Sequence, residues 1–196
     1  MAAAVRELRQ PMLTLFYSPH ATSVDNEAGR ASGHADVPLS ELGRQRAVSL
    51  GQGYANESLD AVFCSDLQRA YITAEIAFSG RDLPIFRDAR LRECDYGLRT
   101  QSPSNEIALE QHIRTPYPGG ESLALVTEHV GAFLREMLRD YSGKRIVVIG
   151  HAATKRAIEY WTGNRSLEEI ISTPWEWLDI PIWRYTLTSP LRADQP

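Results

Sequence analysis

Short apolar strands alternating with helical stretches constrain this chain more than any other feature. Leu13-Thr14-Leu15-Phe16-Tyr17-Ser18 reads as the heart of a first strand, 12–18, and the polar stretch 21–36 as a long loop. A helix is then expected from Pro38 to Tyr54, with Ser40 as its N-cap and Leu42, Ala47, Leu50 and Tyr54 on the buried face. Leu59 to Cys64 reads as the next strand, and Ser65 or Asp66 as the cap of a helix running to Phe78. Pro84-Ile85-Phe86 suggests another strand. The region from Gly97 to Gly120, rich in Pro, Ser and Gly, reads as a lid or specificity insertion with one short helix. Ser122 to Tyr141 has the most regular helical period, with Leu125, Val130, Phe133, Leu134, Met137 and Leu138 on its apolar side. The strand Arg145 to Ile149 and a helix from Ala153 to Trp161 follow, and two last strands are expected at Trp177–Ile180 and Ile182–Leu187. Such alternation predicts the α/β class, a three-layer α/β/α sandwich around a mostly parallel sheet. A length of 196 residues suits a single domain over 1–196, with its core at 12–187 and short flexible termini.

Two of these strands end in a histidine. His20 follows the first, and His151 follows Arg145-Ile146-Val147-Val148-Ile149-Gly150. In an open parallel sheet the carboxyl ends of the strands form the ligand-binding edge. Two histidines delivered there by separate strands can face each other across one site, an arrangement suited to phosphate or phosphohistidine chemistry.

The bulk numbers narrow the partners. A net charge of −4 and a pI near 5.8 argue against a nucleic acid held on a general basic surface. No apolar run is long enough for a membrane span, and the N-terminus lacks the apolar core of a signal peptide, so a cytoplasmic location is expected. The two cysteines, Cys64 and Cys94, form no close-spaced metal or redox motif and read as reduced thiols. His34, His112 and His129 lack metal-ligand spacing, and no glycine-rich nucleotide loop is present, so neither metal nor cofactor is expected. The late tryptophans offer an edge for a homodimer.

The motifs have a family resemblance. Pro19-His20-Ala21-Thr22-Ser23-x-x-Asn26 resembles the Arg-His-Gly-(Glu/Gln)-Thr-x-x-Asn signature of the histidine phosphatase superfamily, phosphoglycerate mutase-like branch. The likeness continues through Gly29-Arg30-x-x-Gly33-x-x-Asp36-x-Pro38-Leu39-Ser40 and Cys64-Ser65-Asp66-Leu67-Gln68-Arg69-Ala70. Leu91-Arg92-Glu93-x-x-x-Gly97, Pro118-Gly119-Gly120-Glu121-Ser122 and the His151 segment complete it, so that the landmarks span about 12–187.

That resemblance implies a phosphoglycerate mutase-like fold and a role for each residue. His20 would be the nucleophile, since imidazole has an ordinary pKa near 6.5 and offers a neutral nitrogen at physiological pH. Attack on a phosphomonoester would give a phosphohistidine, which water would hydrolyse. Arg69, in the first turn of its helix, would grip phosphate oxygens bidentately. His151, just before a helix N-terminus, would hydrogen-bond the transferring phosphoryl group. Glu93 would protonate the leaving oxygen and then activate water, with Asp95 as the competing carboxylate. Ser23, Asn26, Ser32 and Gly33 match substrate-phosphate positions, Tyr96 would line the mouth, and Ala152 follows the second histidine. Arg30, Arg99 and Arg114 are candidates for specificity.

The pattern departs from the family at Pro19, where an arginine normally supplies a second clamp, and at Ala21 and Ala152, which stand for glycines. Loss of one preorganised donor typically costs on the order of 100- to 1000-fold in turnover. Three readings follow: a metal-independent phosphomonoester hydrolase acting on a small phosphorylated metabolite, a catalytically weakened binder of phospho-ligands or partners, and a mutase-type phosphotransferase. Retention of His20, Arg69, Glu93 and His151 favours hydrolysis over the binder. The short insertion, with only Arg99 and Arg114 as cations, favours it over the mutase.

Overall fold

The computed structural model describes residues 12–174, 178–189 and 191. Its frame is one five-stranded sheet in the order β3-β2-β4-β1-β5: β1 Met12–Pro19, β2 Ala61–Cys64, β3 Ile85–Arg87, β4 Arg145–Gly150 and β5 Trp183–Thr188. The first four strands run parallel, and β5 pairs antiparallel with β1. The helices are α1 Val24–Glu27, α2 Glu41–Gly53, α3 Gln68–Ala77, α4 Leu123–Asp140, α5 Ala152–Thr162 and α6 Leu167–Ile171.

Strand side chains alternate between two cores, as the two-residue period of a pleated strand requires. Leu13, Leu15, Tyr17, Phe63, Ile146 and Val148 face α4 and α5, where they meet Phe133, Leu134, Met137, Ile158 and Trp161. Phe16, Val62, Cys64, Val147 and Ile149 face the other way, onto Leu50, Tyr54, Ala70 and Ala74 of the α2–α3 side. Helices thus cover both faces of a mostly parallel sheet, the expected three-layer α/β/α sandwich. A third cluster, including Cys94, Tyr96, Ile107, Ile113, Tyr117, Leu123 and Leu167, roofs the carboxyl end of the sheet.

Several local expectations are corrected. Leu42 is 42% exposed, because α2 instead turns Gly43, Ala47 and Leu50 inward, with Gly43 against the backbone of Thr22. Leu125 is 46% exposed, one step off the inward stripe of Leu123, Val126, Thr127 and Val130 on α4. Inside the expected loop, Ser23 caps the single turn α1. The 97–120 insertion contains three short 3₁₀ turns rather than one helix. Neither Ser65 nor Asp66 caps α3. The Gln68 N–H instead donates to Oδ1 of Asp36 at 2.7 Å, while Asp66 pairs with Arg92. Residues 178–180 form no strand, and Trp175 and Trp177 lie outside the described residues. The helix α6 was not anticipated, although Ser166 and Glu169 form the capping box that opens it.

Candidate active site

The parallel register of β1 and β4 sets Pro19 opposite Gly150, so His20 and His151 leave the sheet side by side. The His20 N–H donates to Gly150 O at 2.8 Å and closes the end of the ladder. The two imidazole rings lie 5.0 Å apart, tilted by 56°. His20 Nδ1 lies 2.7 Å from the carbonyl of Ala21. A carbonyl can only accept, so Nδ1 carries the proton and Nε2 keeps its lone pair. Burial, reinforced by the charge of Arg69, pushes the His20 pKa from 6.5 down to about 3. The ring is therefore neutral, with Nε2 free to act as a nucleophile.

His151 is 1% exposed, and neither of its ring nitrogens has a hydrogen-bond partner among the described residues. Burial first, then the charge of Arg69, holds its pKa well below the ordinary value. A neutral imidazole must still carry one N–H, and an unpaired buried donor costs about 1–3 kcal/mol. An oxyanion placed between the rings would relieve that cost. The backbone around His151 is held by two hydroxyls. Thr154 Oγ1 accepts from the His151 N–H at 3.0 Å and donates to Leu91 O at 2.9 Å. Tyr17 adds a bond from its hydroxyl to His151 O.

Arg69 points back toward the strand ends and is 1% exposed. Its Nη1 and Nη2 donate to Ala35 O and Gly33 O at 2.8 and 2.7 Å, so two carbonyls, and no salt bridge among the described residues, hold its guanidinium. Desolvation lowers its pKa, while the charge of Glu93 opposes that fall. Gly33 has φ +50°, and a Cβ there would lie 3.1 Å from the Tyr96 ring and 3.2 Å from Thr100 Oγ1, so the turn suits glycine. Thr73, one helical turn beyond Arg69, accepts from the Ala21 N–H at 3.0 Å and ties α3 to the His20 loop.

The remaining expected residues occupy distinct places. Glu93 is half-buried, with Oε1 accepting from Cys94 N at 2.9 Å, and its charge acts on Tyr17, Arg69 and Tyr96. Tyr96 is buried beside Gly33 and packs edge-on against Tyr117. Ser23 and Asn26 form a capping box on α1, with Asn26 Oδ1 accepting from the Ser23 N–H and hydroxyl. Ser32 is buried in the same loop as Gly33, and Ala152 opens α5. Arg30 and Arg99 are exposed, and Arg114 pairs with Glu168 at 3.3 Å. Sequence reasoning passed over Arg156, a half-buried α5 residue whose charge acts on Tyr17, Tyr96 and Tyr117 and which has no ion-pair partner among the described residues. Its place one turn after Ala152 was the available signal. The cavity lined by Phe63, Phe86, Arg87, Glu136 and Tyr141 includes none of these residues.

Two neutral histidines and a buried guanidinium held by two carbonyls thus meet at the carboxyl edge of a parallel sheet, an arrangement that can take an oxyanion. The chain belongs to the histidine phosphatase superfamily (branch 1), which matches residues 19–186. It is similar to phosphoserine phosphatase 1 of Hydrogenobacter thermophilus, 31% identical over 157 residues that cover 75% of this chain and 74% of that one. The probable phosphoglycerate mutase GpmB of Salmonella choleraesuis is 29% identical over 150 residues, covering 71% and 70%. Among solved structures, Bacillus stearothermophilus YhfR shares the fold with a TM-score of 0.78 and 24% identity, covering 94% of this chain and 98% of that one. The protein is thus a phosphatase or phosphotransferase. No helix among the described residues is long and apolar enough to cross a membrane.

Proposed function

We propose that the protein is a metal-independent phosphomonoester hydrolase that acts on a small phosphorylated metabolite through a phosphohistidine. The observation that carries this reading is His20, with Nδ1 tied to the Ala21 carbonyl and Nε2 free, beside His151 with both nitrogens unpaired. In the first step His20 Nε2 attacks phosphorus, and the ester P–O bond breaks as Glu93 gives its proton to the leaving oxygen. Arg69 and His151 hold the equatorial oxygens as their charge grows. In the second step Glu93, now a carboxylate, takes a proton from water. The water oxygen displaces His20 and phosphate leaves. Each half uses the same carboxyl in opposite protonation states, as general acid–base catalysis requires.

Hydrolysis is favoured over mutase chemistry by the insertion, where Arg99 is exposed and Arg114 is engaged by Glu168. Similarity to a phosphoserine phosphatase supports a small phosphorylated metabolite as substrate.

Purified protein is expected to release phosphate from an aryl phosphate in the presence of a chelator, and His20→Ala to abolish this. Equal rates in the two proteins would sink the nucleophile assignment. No turnover across a panel of phosphomonoesters, with phosphate binding intact, would turn the reading to a phospho-ligand binder.

A further inference from the structure

His34 lies in the loop that holds the phosphate clamp, yet nothing in its spacing marks it as functional. Its Nε2 sits 2.8 Å from the backbone carbonyl of Glu93, 59 residues away in sequence. Since the carbonyl only accepts, Nε2 is the protonated nitrogen. The residues on either side of it, Gly33 and Ala35, give their carbonyls to the two Nη atoms of Arg69. Three consecutive residues therefore grip the guanidinium with two carbonyls and the Glu93 backbone with one ring N–H. No other element donates a side-chain hydrogen bond to the Glu93 backbone or carboxylate among the described residues. Among the described residues the carboxylate accepts only from its neighbour, Cys94 N.

The ring is itself held in place. Asp95 Oδ2 lies 3.8 Å from Nδ1, and Glu121 Oε2 lies 3.8 Å from Nε2. Glu121 also accepts from the Asp95 N–H at 3.1 Å and faces His129 at 3.9 Å, so the segment after Glu93 and the turn before α4 close around the imidazole. The His34 side chain is 27% exposed. It is sheltered enough for its hydrogen bond to orient a backbone, and among the described residues it makes no hydrogen bond to the His20, Arg69 or His151 side chains.

We propose that His34 is a positioning residue, setting the place of the Glu93 carboxyl relative to the phosphate clamp. This rests on the hydrolase reading, with Glu93 as the proton donor. Misplacing a proton donor by a fraction of an ångström costs most where the leaving group needs the proton and little where it departs as a stable anion. The test is kcat/KM, which reports the step that releases the leaving group, measured on an alkyl phosphate and on p-nitrophenyl phosphate.

His34→Leu, close in size but unable to donate, is expected to lower kcat/KM on the alkyl ester by at least about tenfold and on the nitrophenyl ester by less than about threefold. His34→Gln, whose amide nitrogen reaches the place of Nε2, is expected to restore most of the alkyl activity. A merely structural role would lower both esters together and would not be rescued in this selective way. Equal losses on the two esters, no loss on either, or failure of Gln to outperform Leu would overturn the positioning role while leaving the hydrolase reading intact. A wild-type protein inactive on both esters would refute the hydrolase reading and this proposal with it. If Leu prevents cooperative folding, Gln and Asn carry the same comparison. Asn, one carbon short, is expected to lower the alkyl-to-aryl ratio about tenfold below that of Gln, and equal ratios would overturn the role.

Discussion

Thr154→Val replaces a hydroxyl with a methyl of nearly the same shape, so it opens no cavity and changes only hydrogen bonding. Thr154 is fully buried, and its Oγ1 does two things: it accepts from the His151 N–H at 3.0 Å and donates to Leu91 O at 2.9 Å. Val leaves a buried donor and a buried acceptor without that partner. Each such group costs about 1–3 kcal/mol, so about 3 kcal/mol is expected for the pair. For a chain of this size that corresponds to a fall in melting temperature of roughly 6–12 °C. Thr154→Ser keeps the hydroxyl and loses only the methyl packed near Gly150, which should cost about 1 kcal/mol. Urea and thermal denaturation followed by circular dichroism measure both, and kcat/KM on an aryl phosphate shows whether the His151 and Glu93 segments have moved. A Val variant as stable as wild type, or a Ser variant less stable than Val, would show that Thr154 does not join these segments as argued.

Arg69→Lys removes the planar fork that meets Gly33 O and Ala35 O, and should lower kcat by about 100-fold or more with the charge retained; a loss under tenfold in steady-state assays would mean that charge alone holds the phosphate. Gly43→Ala would bring a Cβ to 1.9 Å from Thr22 O, two residues from His20, whereas Gly51→Ala would meet Ala77 O at 2.2 Å on the far end of α2. Both should unfold at lower urea, but only Gly43→Ala should lose activity per folded molecule. The burial-lowered pKa of His20, about 3 against 6.5 in the unfolded chain, means that the unfolded state binds more protons between those values. This contribution to stability is therefore present above pH 6.5 and lost as pH falls toward 3, and His20→Asn should flatten the decline in melting temperature between pH 7 and 5.

Much of the fold was legible because the strands announce themselves twice, as apolar runs and as the starts of βα units. Ser18 and Ile149 mark ends that the structure extends by one residue each, to Pro19 and Gly150. Helix faces were harder. Leu42 and Leu125 look like core residues, but α2 turns Gly43 and Ala47 inward and α4 turns the stripe Leu123, Val126 and Val130 inward, which leaves each leucine one position outside. The cap on α3 was invisible for a different reason: its acceptor, Asp36, lies 32 residues upstream and meets Gln68 only after folding. At the site, the strand-end histidines and Arg69 could be read from their positions relative to strands. His34 could not, since it was judged only by metal-ligand spacing, and its partner Glu93 O is a backbone atom that no motif names.

The sheet also explains how Pro19 is accommodated. Along β1 the N–H groups of even-numbered residues turn toward β4: Thr14 donates to Lys144 O and His20 to Gly150 O. The nitrogen of residue 19 therefore faces the β5 side. There the pairing ends at Tyr17 opposite Trp183, two residues earlier. A proline at 19 removes a donor that no ladder bond would have used, and a strand end beyond its partner is one of the few places where a sheet admits it. The fold thus places no demand on this position beyond an extended backbone. Pro19, at the position where the motif resemblance leads one to expect an arginine, is not required by the sheet, so Pro19→Arg should fold as wild type does. On the proposed mechanism, its effect on turnover then measures whether one guanidinium, Arg69, suffices for a phosphoryl group held between two neutral histidines. A rise in kcat would show that the second charge was missing, and an unchanged kcat that Arg69 and the histidine pair already balance the transition state.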